Sequence, residues 1–263
     1  MRQPSVDKSS LAGIGIAVGG ILVGLIMEGG RITQLLQPTA ALIVFGGTMG
    51  AVMLQFPLRV IQAAFRRLAQ VFFDTSRNPS DLIEEITNYA HKARKNGIVS
   101  LDAEVQTIQD PFLKKTLMLA VDGTEPEEIR NMMQLELDNQ AEHHENIPLV
   151  FESAGGFSPT IGIIGAVLGL IQVMQHLDDI SEVGRGIAVA FVATIYGVGA
   201  ANLFFLPVAG KIKIRMRQEQ TLREMMLEGV ISILEGMNPR MIENKLAGFF
   251  AEAHENANKR IAS

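Results

Sequence analysis

Charged side chains vanish from four long stretches of this chain. Leu11 to Met27, Ile32 to Leu58, Phe157 to Leu177 and Ile187 to Gly210 contain no Asp, Glu, Lys or Arg. A helix rises about 1.5 Å per residue and needs roughly 20 apolar residues to cross a hydrocarbon core of roughly 30 Å. Three of the stretches meet that length and the first is marginal. They predict four transmembrane helices, at about 11–28, 37–57, 155–177 and 186–209. Buried helices of a large soluble bundle are the competing reading, and length and missing charge count against it.

The rest of the sequence falls into two polar blocks, 59–150 and 211–263, set apart from the membrane blocks 1–58 and 151–210. Their periodicity is helical. In RVIQAAFRRLAQVFF, Ile61, Ala64, Phe65, Leu68 and Phe72 share one face and the arginines sit near the other, a pattern suited to a membrane surface. Asn78, Pro79 and Asp81 read as the cap, first residue and first-turn acid of a helix that Gly97 ends. Ser100 opens a short helix stopping at Asp110-Pro111, and Asp122-Gly123 ends the one after it. Thr124-Glu125-Pro126-Glu127 has capping-box form and opens a long polar helix toward the third span. Asn238-Pro239 repeats the cap-then-proline signature in the tail, and no strand pattern stands out. The predicted fold class is all-α: a polytopic membrane protein with four transmembrane helices, a helical cytoplasmic domain and a helical C-terminal tail.

Basic residues give the orientation. Arg59, Arg66, Arg67 and Arg77 follow the second span, and Lys211, Lys213, Arg215 and Arg217 follow the fourth. By the positive-inside rule both flanks, and with them both termini, are cytoplasmic. The short connections carrying Glu28, Asp178, Asp179 and Glu182 belong outside. The first span has the leader of a signal peptide but no small-x-small cleavage site after it, and reads as a retained helix of a multi-pass inner-membrane protein.

Composition narrows the chemistry. The absence of cysteine removes disulfides, thiolate catalysis and cysteine metal sites. A net charge of -5 counts against nucleic acid as a partner. There is no phosphate loop, HExxH or nucleophile elbow, so no enzyme and no cofactor is expected. His143 and His144 are adjacent; on a helix they point about 100° apart and do not converge on a metal.

Within the spans, glycines recur at four-residue spacing, as Gly15/Gly19, Gly20/Gly24, Gly46/Gly50 and Gly165/Gly169. Small residues so spaced let helix backbones approach closely, and their repetition points to a tightly packed assembly of several copies. Pro159 and Pro207 each remove a backbone donor and mark a kink or a helix start. The polar inventory is Thr48, then Thr160, Gln172 and His176, then Thr194, Tyr196 and Asn202. An ion path needs an intramembrane carboxylate. These spans hold none, so if ions cross here the acid comes from another polypeptide, with Thr194 and its neighbours supplying oxygen contacts.

SPTIGIIGAVLGLIQVM, then GIAVAFVATIYGVGAANLFFLPVAGKIK, and in the loop ARKNGIVSLD and DPFLKKTLMLAVDG, resemble the MotA/PomA family of flagellar stator subunits over nearly the whole chain. The resemblance implies a homopentamer in lipid around a MotB-type single-span, peptidoglycan-binding partner whose aspartate binds the ion, turning against the rotor protein FliG. It implies that Pro159 and Pro207 serve the conformational step and that Thr194, with Thr160, Tyr196 and Ala166 nearby, faces the partner. Arg94 and Lys95 match the rotor-contacting cations. Asp102 stands where a glutamate is usual, so Glu104 shares its role. At Ala166 sodium-type relatives usually carry threonine, whose hydroxyl can replace water around the ion; alanine implies proton coupling. An energiser of the ExbB/TolQ type, a self-contained transporter and a membrane scaffold are the alternatives; the first has three spans against the four counted here.

Overall fold

The computed structural model describes residues 5–74 and 77–249. The end of the expected tail, residues 250–263, lies outside the described residues. The helices are α1 (Lys8–Met27), α2 (Pro38–Gln55), α3 (Leu58–Phe72), α4 (Pro79–Asn96), α5 (Asp102–Val105), α6 (Pro111–Val121), α7 (Pro126–Gln175) and α8 (Ile180–Leu234). Residues 239–249 form a further helical stretch. Among the described residues, four helices are long and apolar enough to cross a membrane: α1, α2, α7 and α8. The chain divides into two compact units, Met1–Thr75 with Glu145–Ile214, and Ser76–His144 with Arg215–Ser263. The loop block and the tail therefore build one unit together, and α7 and α8 each contribute to both.

In the first unit α1 buries none of its residues, as expected of a helix whose solvent is lipid. Asp7 caps it, its carboxylate accepting from the Ser9 and Ser10 amides at 3.1 Å each. The same carboxylate pairs with Lys211 at 2.7 Å. Just before it lies a two-residue antiparallel pairing, Val6 with Phe73 and Ser5 with Asp74, continued by the Asp7 amide donating to the Phe72 carbonyl at 2.8 Å. No strand pattern was visible here because so short a pairing leaves no periodicity to read. Its effect is topological: the start of α1, the end of α3 and residue 211 meet on one side of the spans.

Two of the spans are not uniform α-helix. Leu42–Gly46 in α2 and Ala201–Phe205 in α8 are π turns. The second directly precedes Leu206-Pro207. Pro207 offers no N–H to the carbonyl four residues earlier, and a widened turn is one way a helix absorbs that loss. Elsewhere in this unit Ile61, Ala64 and Val71 bury one face of α3, and Phe65 sets its ring edge-on to Phe151 at 6.2 Å.

The second unit has an ordinary hydrophobic core. Leu82 and Ile86 of α4, Leu113 and Leu117 of α6, Ile129 and Met133 of α7, Met225 and Ile231 of α8, and Ile242 and Leu246 are fully or almost fully enclosed. Gly229 marks the tightest crossing: a methyl carbon placed on it would lie 2.7 Å from Ile86 Cγ2. Glu228 holds three elements, accepting from Arg130 at 2.8 Å and Lys245 at 2.5 Å. α4 starts where expected, with Asn78 accepting from the Ser80 amide at 3.1 Å, and ends at Gly97, whose φ of 82° favours glycine. The helix expected from Ser100 to Asp110 is shorter: a 3-10 turn at Ile98–Leu101 leads into the single turn of α5. Ser100 does not cap it; its hydroxyl donates back to the Gly97 carbonyl at 2.7 Å.

Candidate functional site

The third and fourth spans touch through their backbones. A methyl carbon on Gly162 would stand 2.9 Å from the Ala193 carbonyl oxygen and 3.5 Å from the Thr194 Cα. One on Gly197 would stand 2.5 Å from the Ser158 carbonyl oxygen and 3.2 Å from the Pro159 Cα. Toward the other end of the spans, Gly169 would meet the Gly186 carbonyl oxygen at 2.8 Å. Such approach is possible only without side chains, and gives the dispersion contact that holds helices together in lipid. Gly165 and Gly169, expected to serve packing between copies, are thus occupied inside one chain. Gly15, Gly19, Gly20, Gly24, Gly46 and Gly50 have open space beside them.

This seam sets Gly197 against Pro159 and Gly162 against Thr194, with Ala166 two helical turns from Pro159 on the same face. The Thr194 hydroxyl donates to the Ala190 carbonyl at 3.2 Å, and the exposed Thr160 hydroxyl to the Phe157 carbonyl at 2.8 Å. Each donation satisfies the proton and leaves oxygen lone pairs as acceptors. A protonated carboxyl or a hydrated cation is the kind of group such acceptors take. Pro159 deprives the Gly155 carbonyl of its helical donor, and a methyl on Gly155 would stand 2.7 Å from Leu206 Cδ2, next to Pro207. The two prolines therefore disturb neighbouring backbone.

Tyr196 is turned to another task. Its hydroxyl donates to the Leu35 carbonyl and accepts from the Gln37 amide at 3.3 Å. Its ring lies 5.9 Å from that of Phe45. It fastens the entry of α2. In the spans, the buried hydroxyls of Thr48 and Ser158 have no hydrogen-bond partner among the described residues. Ser158 was not singled out in the sequence, since a serine before a proline looks like an ordinary turn residue.

In the second unit, Arg94 and Lys95 are exposed in the last turn of α4, and Asp102 is exposed at the start of α5. Glu104 is different: it is ion-paired with Lys92 of α4. The hydrogen bond from Lys92 holds its carboxyl below the usual range. Tyr89 donates to Glu85 at 2.7 Å, and burial pushes its phenol above the ordinary value, against the nearby Arg77 and with the help of Glu104. Expected as a second acid beside Asp102, Glu104 is engaged within its own unit and ties α5 to α4.

The fold defines a multi-pass helical membrane protein whose last two spans form a close, carboxylate-free pair. Residues 104–225 match the model of the MotA/TolQ/ExbB proton channel family, and residues 11–97 that of the Motility protein A N-terminal region. Motility protein A of Bacillus subtilis is 38% identical over 243 residues, covering 92% of this chain and 90% of that protein. The solved C. jejuni MotAB structure superposes with a TM-score of 0.88 at 32% identity, covering 92% of this chain and 95% of that one. The flagellar MotAB stator complex from Bacillus subtilis gives 0.83 at 38%, covering 91% and 94%. This chain belongs to the Motility protein A family, a flagellar stator subunit of the proton channel class.

Proposed function

We propose that this chain forms, with a MotB-type single-span partner, a proton channel that turns ion flow into torque. The observation that carries the reading is the seam itself: Pro159, Gly162, Thr194 and Gly197 meet in spans without a carboxylate. A partner's aspartate supplies the group that binds the proton, and the Thr194 oxygen accepts from it when protonated. The solved relatives are titled as MotAB complexes, which supports the partner assignment. Pro159 and Pro207, with the π turn before Pro207, give the wall two places where backbone hydrogen bonding is already interrupted, so a shift there breaks few bonds.

The side where Asp7, Phe73 and Lys211 meet is assigned to the cytoplasm, because Arg59, Arg66, Arg67 and Lys213 crowd that end. Both termini are then cytoplasmic. The chain works as a homopentamer in the cytoplasmic membrane, and Arg94, Lys95 and Asp102 contact FliG. Exposed charges of this kind steer and orient binding more than they add affinity.

Co-purification tests the reading. Tagged chain isolated from motile cells should bring down a single-span protein with an intramembrane aspartate and a peptidoglycan-binding domain. Isolation without such a protein, in cells that swim, would sink it.

A further inference from the structure

α3 carries an arc of exposed residues; Phe65 at its edge sets its ring against Phe151 and still leaves about half of its surface exposed. With Ile61, Ala64 and Val71 buried on the opposite face, Phe65, Leu58, Ala69, Gln62, Arg66 and Arg59 follow one another around the exposed side at 100° per residue. One edge of the arc is apolar, with Leu58 60% and Phe65 49% exposed. The other is cationic. No acidic residue occurs from Leu58 to Phe73. Arg59 and Arg66 sit two turns apart, and neither takes part in an ion pair or side-chain hydrogen bond among the described residues.

The location is defined by the chain. Only Phe56 and Pro57 separate the end of the spanning helix α2 from the start of α3, and the end of α3 pairs with the segment that starts α1. Both of its ends are therefore at the membrane boundary. A helix lying there sinks its apolar edge among the acyl chains and extends its arginines to the phosphate level.

We propose that this arc of α3 is a binding surface for anionic phospholipid headgroups, with Arg59 and Arg66 meeting the phosphates and Leu58 and Phe65 the acyl boundary. Exposed Lys8, next to the Asp7–Phe72 backbone bond, adds a third cation at the same level. The inference rests on the chain being a membrane protein and not on the details of its partner or ion. Lipid binding is read by itself, so a failed stator assay and a failed lipid assay are separate results.

The test titrates full-length chain in a neutral detergent with dioctanoyl phosphatidylglycerol or dioctanoyl phosphatidylcholine and counts bound lipid by native mass spectrometry. The wild type should prefer the anionic lipid. Each cation at an anionic surface is worth about fivefold in binding, so Arg59→Gln with Arg66→Gln should weaken phosphatidylglycerol binding about 25-fold and leave phosphatidylcholine binding unchanged. Arg59→Lys with Arg66→Lys should keep the preference, as should the charge-matched control Lys114→Gln with Arg240→Gln. Excess inorganic phosphate should leave the lipid bound. Equal binding of the two lipids, an unchanged preference in the first pair, loss in the lysine or control pair, or displacement by phosphate would each overturn the proposal.

Discussion

Gly197 lies so close to Pro159 that a methyl carbon on it would stand 3.2 Å from the proline Cα and 2.5 Å from the Ser158 carbonyl oxygen. Both neighbours are backbone and cannot rotate aside. Gly197→Ala must therefore push the third and fourth spans apart, at a cost of about 1–3 kcal/mol. Gly199, two residues on, has nothing within 4 Å of such a methyl, so Gly199→Ala should leave stability unchanged or slightly raised by its better helix propensity. Thermal unfolding in detergent, followed by circular dichroism, separates the two. Equal midpoints would mean that the seam is not tight.

Gly229 gives a graded version of the same experiment in the second unit. Its nearest obstacles are side-chain atoms, Ile86 Cγ2 at 2.7 Å and Cδ1 at 2.9 Å and Leu246 Cδ1 at 3.3 Å, but Ile86 is fully enclosed and has little room to turn. Overpacking of about 1–3 kcal/mol is set against a helix-propensity gain of about 1 kcal/mol. Gly229→Ala should thus destabilise by about 1 kcal/mol; the same propensity gain applies to Gly197→Ala, whose backbone obstacles put its overpacking nearer the top of the range and its net loss above that of Gly229→Ala. A larger loss at Gly229 would contradict the ranking of backbone over side-chain obstacles.

The spans were legible because exclusion of charge over some twenty residues has one dominant physical cause, a hydrocarbon solvent. Asn78, Pro79 and Gly97 were legible because caps act within a few residues of the helix ends they satisfy. What escaped notice depends on register between distant segments. Gly162, Gly165 and Gly169 stand out in the sequence, but that they face Gly197, Ala193 and Gly186 of the same chain follows from how two helices slide against each other. The π turns add one residue to a turn without any composition of their own. Lys92 and Glu104 are twelve residues apart, and only the Gly97 turn brings them together. Tyr196 looked like a residue of the pathway because its neighbour Thr194 does, yet its hydroxyl serves the α2 entry.

The Lys92–Glu104 pair makes the pH response of the second unit specific. Glu104 is held below the ordinary carboxylate value by the hydrogen bond from Lys92. A depressed pKa stabilises the folded state above the unfolded value, about 4.3 for a glutamate, and that stabilisation is lost as pH falls through the folded value. Wild type should exceed Glu104→Gln in unfolding midpoint at neutral pH, and the gap should close as pH falls below the ordinary glutamate value of about 4.3. A gap that closed between pH 5 and 7 would point to another group. In swimming assays at neutral pH, Lys92→Gln should weaken torque less than Arg94→Glu, because Lys92 holds the turn whereas Arg94 is the residue proposed to contact the rotor. Opposite charge changes on FliG should partly rescue the Arg94 variant and leave the Lys92 variant unimproved.

The proposed proton coupling gives Ala166 a testable role in which ion passes. The residue lies two turns from Pro159 on the face that also carries Gly162, and it is only partly buried. A methyl offers nothing in exchange for the water that sodium sheds, whereas a proton bound to a carboxylate sheds no hydration shell. The Thr194 hydroxyl oxygen offers a protonated carboxyl the single acceptor it needs, whereas a stripped sodium ion needs several oxygens around it, and the Ala166 methyl adds none. Cells lacking their own stators and expressing this chain with its partner should therefore swim equally fast with sodium replaced by potassium, and slow when a protonophore collapses the proton gradient. Ala166→Thr adds a hydroxyl one helical turn from Gly162 and should leave proton-driven swimming in place while admitting sodium to a measurable share of the torque. Strict dependence of wild-type swimming on external sodium would overturn the assignment of the ion and leave the fold and the seam standing.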